Sequence, residues 1–309
     1  MNGIIIVNKE KGFTSHDVVA KLRGILRFKK IGHTGTLDPD ATGVLPVCVG
    51  KATKVCDLLT DKDKTYVAVV RLGVTTDTQD MTGQVLSVSD VSVTEDQLKS
   101  VLKEFTGDIR QIPPMYSAIK INGKRLYELA RQGKEVERKA RNVTIHKIAL
   151  QATALQATAL QADEFTIEVT CSKGTYIRSL CHDIGQRLGC GAAMQSLVRT
   201  RVGDFCLRDA LTLTEIERMV RESPSGGEDI LMPVDSVFNR YVRCDVSEKA
   251  MKFLRNGNQV ASGLCRYTSQ APSDGETVRM YGTDGDFYAL YRYDGRDRMY
   301  HNVKMFHEG

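Results

Sequence analysis

One fifteen-residue string, GHTGTLDPDATGVLP from Gly32 to Pro46, gathers residue types able to do chemistry. Glycines at 32, 35 and 43 and prolines at 39 and 46 frame His33, Thr34, Thr36, Asp38, Asp40 and Thr42, and no helix or strand period runs through them. The string therefore predicts a shaped loop. Pro39 confines Asp38 to extended backbone geometry, so one carboxylate is held in a fixed presentation and is the first candidate for chemistry. An ordinary Asp-Pro surface turn is the structural alternative.

A second string, TCSKGTYIRSLCHDIGQRLG from Thr170 to Gly189, supplies the opposite charge. Phe165 to Cys171 reads as a strand, Lys173-Gly174 as a turn and Thr175 as a helix cap, and Ile177, Leu180, Ile184 and Leu188 form a buried helical stripe. Tyr176 and Arg178 then project from the first helical turn. A cation there opposes the helix dipole, which points to a specific anionic partner, either a surface carboxylate or Asp38.

The elements that must position these groups are legible in part. Gly3 to Val7 reads as a buried strand, Thr14 or Ser15 caps a helix carrying Val18, Val19, Leu22, Ile25 and Leu26, Val44 to Val49 is a core strand and Ala52 to Leu59 a short helix. Thr65 to Leu72 alternates so that Tyr66 shares a face with Ala68 and Val70, as a half-buried tyrosine commonly does. Asp77 and Asp80 are turn formers in TTDTQDMTG, and Gln84 to Val88 is a strand. Thr94 to Gln97 is a capping box for a helix that ends before Gly107. Further on, an Asn-Gly turn precedes a short helix to Gln132. Residues 149–162 read ALQAT-ALQAT-ALQA, a five-residue repeat that fits neither helical nor strand period and predicts a lengthened hairpin or a slack loop. From Tyr241 onward the chain turns β-rich, with a helix from Ser247 to Asn256 and strands near Val278 to Tyr281, Phe287 to Tyr293 and Met299 to Phe306.

These strings together resemble the TruB family of RNA pseudouridine synthases. GHTGTLDP matches the family's catalytic motif, KTY its strand tyrosine, CSKGTYIR its arginine motif and LVRT its L-x-R-T segment; Glu10 stands where the family commonly has proline. The resemblance implies that Asp38 is the nucleophile, that Arg178 pairs with it and that Tyr66 meets the target uracil and takes part in the late proton transfer. It also implies that His33 fills the gap left by a flipped base, that Tyr176 lines the pocket and that Leu197 closes it. Lys9 is expected to be structural or RNA-steering, and Lys120, Lys124 and Arg125 to help grip RNA. For such a carboxylate, attack at C1′, attack at uracil C6 and assisted elimination to a glycal are all open. The implied fold is α+β, a mixed, mainly antiparallel sheet flanked by helices around a central cleft (residues 1–238), followed by a small PUA-like β-barrel (residues 239–309).

Composition agrees with this class. The chain has 309 residues, 41% apolar and 26% charged, enough for one large domain and a small one, and its net charge of +5 suits a polyanionic partner. Eight scattered cysteines form no CxxC pair and no zinc-like spacing, so free thiols in a reducing cytoplasm are expected. No apolar stretch is long enough for a signal peptide or a membrane span. The expected protein is a cytoplasmic, monomeric enzyme that needs no cofactor or metal and isomerises uridine 55 in the T-arm of tRNA. A guide-RNA-dependent synthase and a non-catalytic tRNA-binding or folding factor are the other two readings.

Overall fold

Ile4 to Val7 are an unbroken apolar run because the strand that holds them, Gly3–Lys9, is covered on both faces. Ile5 and Val7 pack with Val18, Val19 and Leu22 of the Ser15–Ile25 helix, whereas Ile4 and Ile6 meet Ala52, Val55 and Phe238 on the other side. The computed structural model describes residues 1–121, 123–153 and 163–307.

Among the described residues the main sheet has nine strands. Its continuous path runs Gly3–Lys9, Thr42–Val49, Ala192–Val202, Lys64–Leu72, Glu164–Cys171, Arg141–Thr153 and Gly107–Gln111, with Ile31–His33 and Phe205–Cys206 attached along it. Neighbours are antiparallel except at the junction of Thr42–Val49 with Ala192–Val202, where Val198 lies opposite Thr42 and Arg199 opposite Gly43. That junction puts the start of the Thr42 strand beside the Tyr66 strand's neighbour. The expected mixed, mainly antiparallel sheet is the one observed.

Helices cover the sheet where their apolar stripes demand it. Leu98, Val101 and Leu102 of Glu95–Glu104 and Ile177, Leu180 and Ile184 of Ile177–Leu188 share one core with Ala68, Val70, Ile167 and Val169. Thr14 and Thr94 cap their helices in reciprocal boxes with Asp17 and Gln97. Thr175 does not cap; Tyr176 holds the N-cap position, and the Thr175 hydroxyl donates to the Ser172 carbonyl instead. The region read as one helix, Ala52 to Leu59, divides into a 3-10 turn, Gly50–Val55, and a short α-helix, Cys56–Thr60. In the alanine-leucine repeat, residues 149–153 lengthen the Arg141–Thr153 strand against Phe165 to Glu168, and residues 154–162 lie outside the described residues.

Among the described residues the C-terminal sheet has six strands, in the order Val260–Ala261, Met299–Met305, Phe287–Asp294, Thr277–Tyr281, Val242–Val246 and Cys265–Tyr267. Its two edge strands are joined through the single turn Ser262–Leu264, so the sheet must curl nearly into a barrel. Ala250, Met251 and Leu254 of the Glu248–Arg255 helix pack into its core, and Leu290 and Phe306 reach the cluster built on Ile4, Ile6 and Val44.

Gly185 marks how tightly the Ile177–Leu188 helix is seated. A Cβ added there would lie 2.2 Å from the Ala192 amide nitrogen. Helix propensity alone favours alanine by about 1 kcal/mol, but the contact is with backbone, and overpacking of this kind costs about 1–3 kcal/mol. Gly185→Ala should therefore lower the urea unfolding midpoint; an unchanged or raised midpoint would show that the seam between helix and sheet yields.

Candidate active site

The Asp38 loop is held by side chains that reach it from beneath. Its peptide groups have no strand partner between His33 and Thr42, so they must be satisfied otherwise. The Leu37 amide donates to the Ser15 hydroxyl (2.9 Å), the Gly12 amide to the Pro39 carbonyl (2.9 Å) and the Thr34 amide to the Pro46 carbonyl (3.1 Å). Two buried cations complete the set. Lys9 Nζ donates to the carbonyls of Phe13 (2.7 Å), Pro39 (3.0 Å) and Glu10 (3.1 Å). Arg199 donates through Nε to the Val44 carbonyl (2.7 Å), through Nη2 to Gly35 (3.2 Å) and through Nη1 to Thr36 (3.5 Å).

Lys9 thus differs from an RNA-steering residue. Its side chain is fully buried, and burial brings its ammonium down to about 8. Three carbonyls consume its donors, so it clasps the loop and offers no charge to the surface.

Asp38 faces outward from this frame, its side chain 40% exposed, with Arg178 behind it at 6%. Arg178 Nε lies 2.9 Å from Oδ2 and Nη2 lies 3.2 Å from Oδ1, a side-on fork between residues 140 apart in sequence. The remaining donors are used as well. Nη2 donates to the Tyr116 carbonyl (2.8 Å) and Nη1 to the Thr78 carbonyl (3.1 Å), and Asp80 Oδ2 stands 3.7 Å from Nη1. Two carboxylates and two carbonyls therefore offset the cost of burying a guanidinium near a helix N-terminus.

The turn from Thr76 to Gly83 is built for that contact. Asp77 accepts the Gln84 amide (2.7 Å) and is a turn former only. Asp80 accepts the Thr82 amide (3.0 Å) through Oδ1 and aims its other oxygen at Arg178, so it has both roles. Gln79 adopts φ +64, and the Ser179 hydroxyl, next to Arg178, donates to its side-chain oxygen (2.7 Å).

Asp38, Tyr66, Tyr176, Arg178, Leu197 and Arg199 line one cleft of about 1900 Å³. Tyr66 is 9% exposed, its phenol pushed up from the ordinary value by burial and opposed by the adjacent Arg199 guanidinium. The Tyr176 peptide is gripped at both ends by Gln111, which accepts from its amide (2.8 Å) and donates to its carbonyl (3.0 Å). Burial also raises the Tyr176 phenol. Leu197 is buried at 7%. His33 sits at the foot of the loop, where Nδ1 accepts the Gly35 amide (3.3 Å) and the ring meets His16 edge-on at 5.2 Å. His16 itself lines the cleft, as do Lys11, Lys120, Arg125, Arg131, Arg141 and Lys173, which give the rim a basic character.

Three residues of this framework carry little local signal: Arg199 shares its strand with a second arginine at 201, Asp80 has the pattern of a turn former, and Gln111 acts on Tyr176 across 65 residues of sequence. Among the described residues, the group able to gather three metal-ligand atoms is Asp294, Asp297 and His301, in the C-terminal unit. There Asp294 and Asp297 already accept the Arg296 and Met299 amides. No helix among the described residues is long and apolar enough to cross a membrane, and all eight cysteines are free.

The fold that carries this site also exists in solved structures. The chain superposes with a TM-score of 0.71 and 26% identity, over 99% of its length and 85% of the other chain, on a protein in the "Structure of H/ACA RNP bound to a substrate RNA containing 2'-deoxyuridine". A chain of a "Cbf5-Nop10-Gar1 Complex" gives the same TM-score of 0.71 at 27% identity, again over 99% of this chain and 85% of that one. Residues 23–177 match the family model described as TruB family pseudouridylate synthase (N terminal domain), and residues 178–239 that of the tRNA pseudouridylate synthase B C-terminal domain. In Lachnoclostridium phytofermentans a protein named tRNA pseudouridine synthase B is 55% identical over 310 residues, 99% of this chain and 100% of its own. Its namesake in Bacillus cytotoxicus is 46% identical over 259 residues, 83% of each chain. Fold and site define a pseudouridine synthase, an enzyme that isomerises uridine in RNA. Within that class the chain belongs to the TruB family.

His33 provides a pH test of this geometry. Burial, with the His16 and Arg199 charges adding to it, lowers its imidazole to about 4. The unfolded chain, titrating near 6.5, then binds more protons between pH 4 and 6.5, so stability falls as pH drops through that window. Ring-proton NMR should show His33 neutral down to about pH 5, and the stability advantage over His33→Gln should shrink from pH 7 to pH 4. A midpoint near 6.5 would mean the ring is solvated.

Proposed function

We propose that the protein converts a uridine of tRNA to pseudouridine, acting on the T-loop uridine at position 55, with Asp38 as the nucleophile. The observation that carries this reading is the fork from Arg178 to Asp38 at 2.9 and 3.2 Å, with the carboxylate facing a large basic-rimmed cleft and Tyr66 beside it. The names of the 55% and 46% identical relatives support tRNA as the substrate.

The chemistry asks for little else. The bond from C1′ to N1 breaks, the uracil turns and C5 takes the place of N1, with no change in oxidation state, so no redox group is required. Arg178 keeps the carboxylate oriented and compensated as substrate displaces water from it. A stacked uridine must be everted first, at a cost of a few kcal/mol. His33 fills the space it leaves, Tyr176 and Leu197 enclose the ring, and Tyr66 stacks on it and accepts the C5 proton. The T-arm stem lies along Lys120, Arg125, Arg131 and Arg141, and residues 239–309 act as a PUA-like RNA-binding module beyond the catalytic unit, residues 1–238. The enzyme works as a cytoplasmic monomer.

Two measurements test this. A T-arm stem-loop carrying C5-tritiated uridine, mixed with the protein alone, should release tritium in step with pseudouridine formation. Binding without release would favour a folding factor, and release only with an added guide RNA would favour a guided enzyme. Asp38→Asn should bind the stem-loop within about threefold of wild type yet lose on the order of 10³-fold or more in turnover. Appreciable residual turnover would remove Asp38 from the chemistry.

A further inference from the structure

Arg199 is 2% exposed and heads the fully buried side chains in size. It stands midway along the Ala192–Val202 strand, with Gly43 opposite it on one neighbour and Tyr66 on the other. Its backbone is pressed against Gly43, where an added Cβ would come within 2.2 Å of the Arg199 carbonyl oxygen. Its guanidinium touches the neutral carbonyls of Gly35, Thr36 and Val44, and among the described residues no carboxylate pairs with it. A permanent cation buried without an anion is costly. Tyr66, opposite it in the ladder and on the wall of the same cleft, is the acidic side chain that favours its charge.

We infer that Arg199 is a positioning residue that acts through Tyr66, holding its hydroxyl beside C1′ and stabilising the phenolate through which a proton passes from C5 to N1 of the uracil. This rests on the reading of Tyr66 as the proton acceptor. When the bond from C1′ to N1 breaks, its electron pair stays on N1, and the Tyr66 hydroxyl gives N1 its proton. Turning the ring exchanges the places of N1 and C5, so the same oxygen, now phenolate beside Arg199, faces C5. C5 then attacks C1′ with its ring double-bond pair, the bond that Asp38 made to C1′ as N1 left breaks with its pair returning to the carboxylate, and the C5–H pair restores the ring double bond as the proton passes to Tyr66. The net change is one proton gained at N1 and one lost at C5, and the tyrosine is returned unchanged. Around Tyr66 lie Asp38 on the loop, Cys171 on the neighbouring strand and Arg199, with Lys64 two residues away on its own strand; Asp38 and Cys171 disfavour a phenolate, and Arg199 favours it.

A double-mutant cycle on the T-arm stem-loop tests the inference, with tritium release followed in single turnovers at saturating RNA. Tyr66→Phe and Arg199→Gln should each slow release, the double variant should be within about threefold of Tyr66→Phe, and Arg199→Lys should recover about tenfold or more over Arg199→Gln, since it restores the charge. RNA affinity should stay near wild type throughout. Additive losses, or a lysine no better than glutamine, would make Arg199 a fastener of the loop only and overturn the inference. Normal release by Tyr66→Phe would instead overturn the role of Tyr66 itself. If circular dichroism shows Arg199→Gln unfolded, Arg199→Lys with and without Tyr66→Phe carries the cycle: a lysine deficit that vanishes in the phenylalanine background supports the inference, and one that persists there overturns it.

Discussion

The pairing of Asp38 with Arg178 constrains more of this molecule than any other contact. A guanidinium at 6% exposure has to spend every donor, and the structure brings four separate segments to it: the Asp38 loop, the turn at Thr78 and Asp80, the Tyr116 carbonyl and its own helix. None of these is adjacent to another in sequence. The single parallel junction in the main sheet sets the loop at the sheet's centre, and the seat of the Ile177–Leu188 helix against Ala192 sets the arginine over it. A small displacement of either would break a side-on fork, whose two bonds require the planes of both groups to match.

The same loop is braced from below by two more cations, Lys9 and Arg199, each bound to main-chain carbonyls. Charge is an expensive way to satisfy a carbonyl, and a serine or an amide would do so at lower cost. What charge adds is a positive field at a site that must hold an anionic side chain next to an anionic substrate. Lys9 feels Asp38 and Asp40 directly, and Arg199 feels Tyr66. The frame therefore supplies both shape and potential, a combination that preorganised polar sites use to stabilise charge without reorganising.

How much of this could be read in advance depends on the range of the determining contact. The capping boxes at Thr14 and Thr94 are closed by residues three positions away; the Thr94 box is where the pattern puts it, and at the first helix Thr14 rather than Ser15 is the cap. The Thr175 cap failed because Tyr176 is held by Gln111, 65 residues distant, a contact that leaves no local mark. Lys9 reads as a turn residue, either structural or RNA-steering, and only the arrival of the Pro39 and Phe13 carbonyls marks it as structural. The arginine near a helix start was legible as an anomaly, because it opposed the dipole, and Asp38 does meet it. Arg199 carried no such anomaly, because its strand also holds Gln195, Ser196, Thr200 and an exposed Arg201, and three strands and a loop had to converge before its partners could be named.

The contrast between centre and rim follows from packing. Around Asp38 the Arg178 donors and the Lys9 and Arg199 clasps are all engaged, and Leu37 and Ala41 anchor the loop in the core. The basic rim is built otherwise: Lys120 and Arg125 lie on two-residue strands, Arg131 ends a six-residue helix, and within that helix Leu126 alone is buried. Elements with so few apolar contacts open at low free energy. A tightly held centre inside a compliant basic rim fits a substrate that is large and polyanionic, because the backbone of a folded RNA has to be accommodated over many nucleotides, whereas the one base that reacts has to be seated to within a few tenths of an ångström.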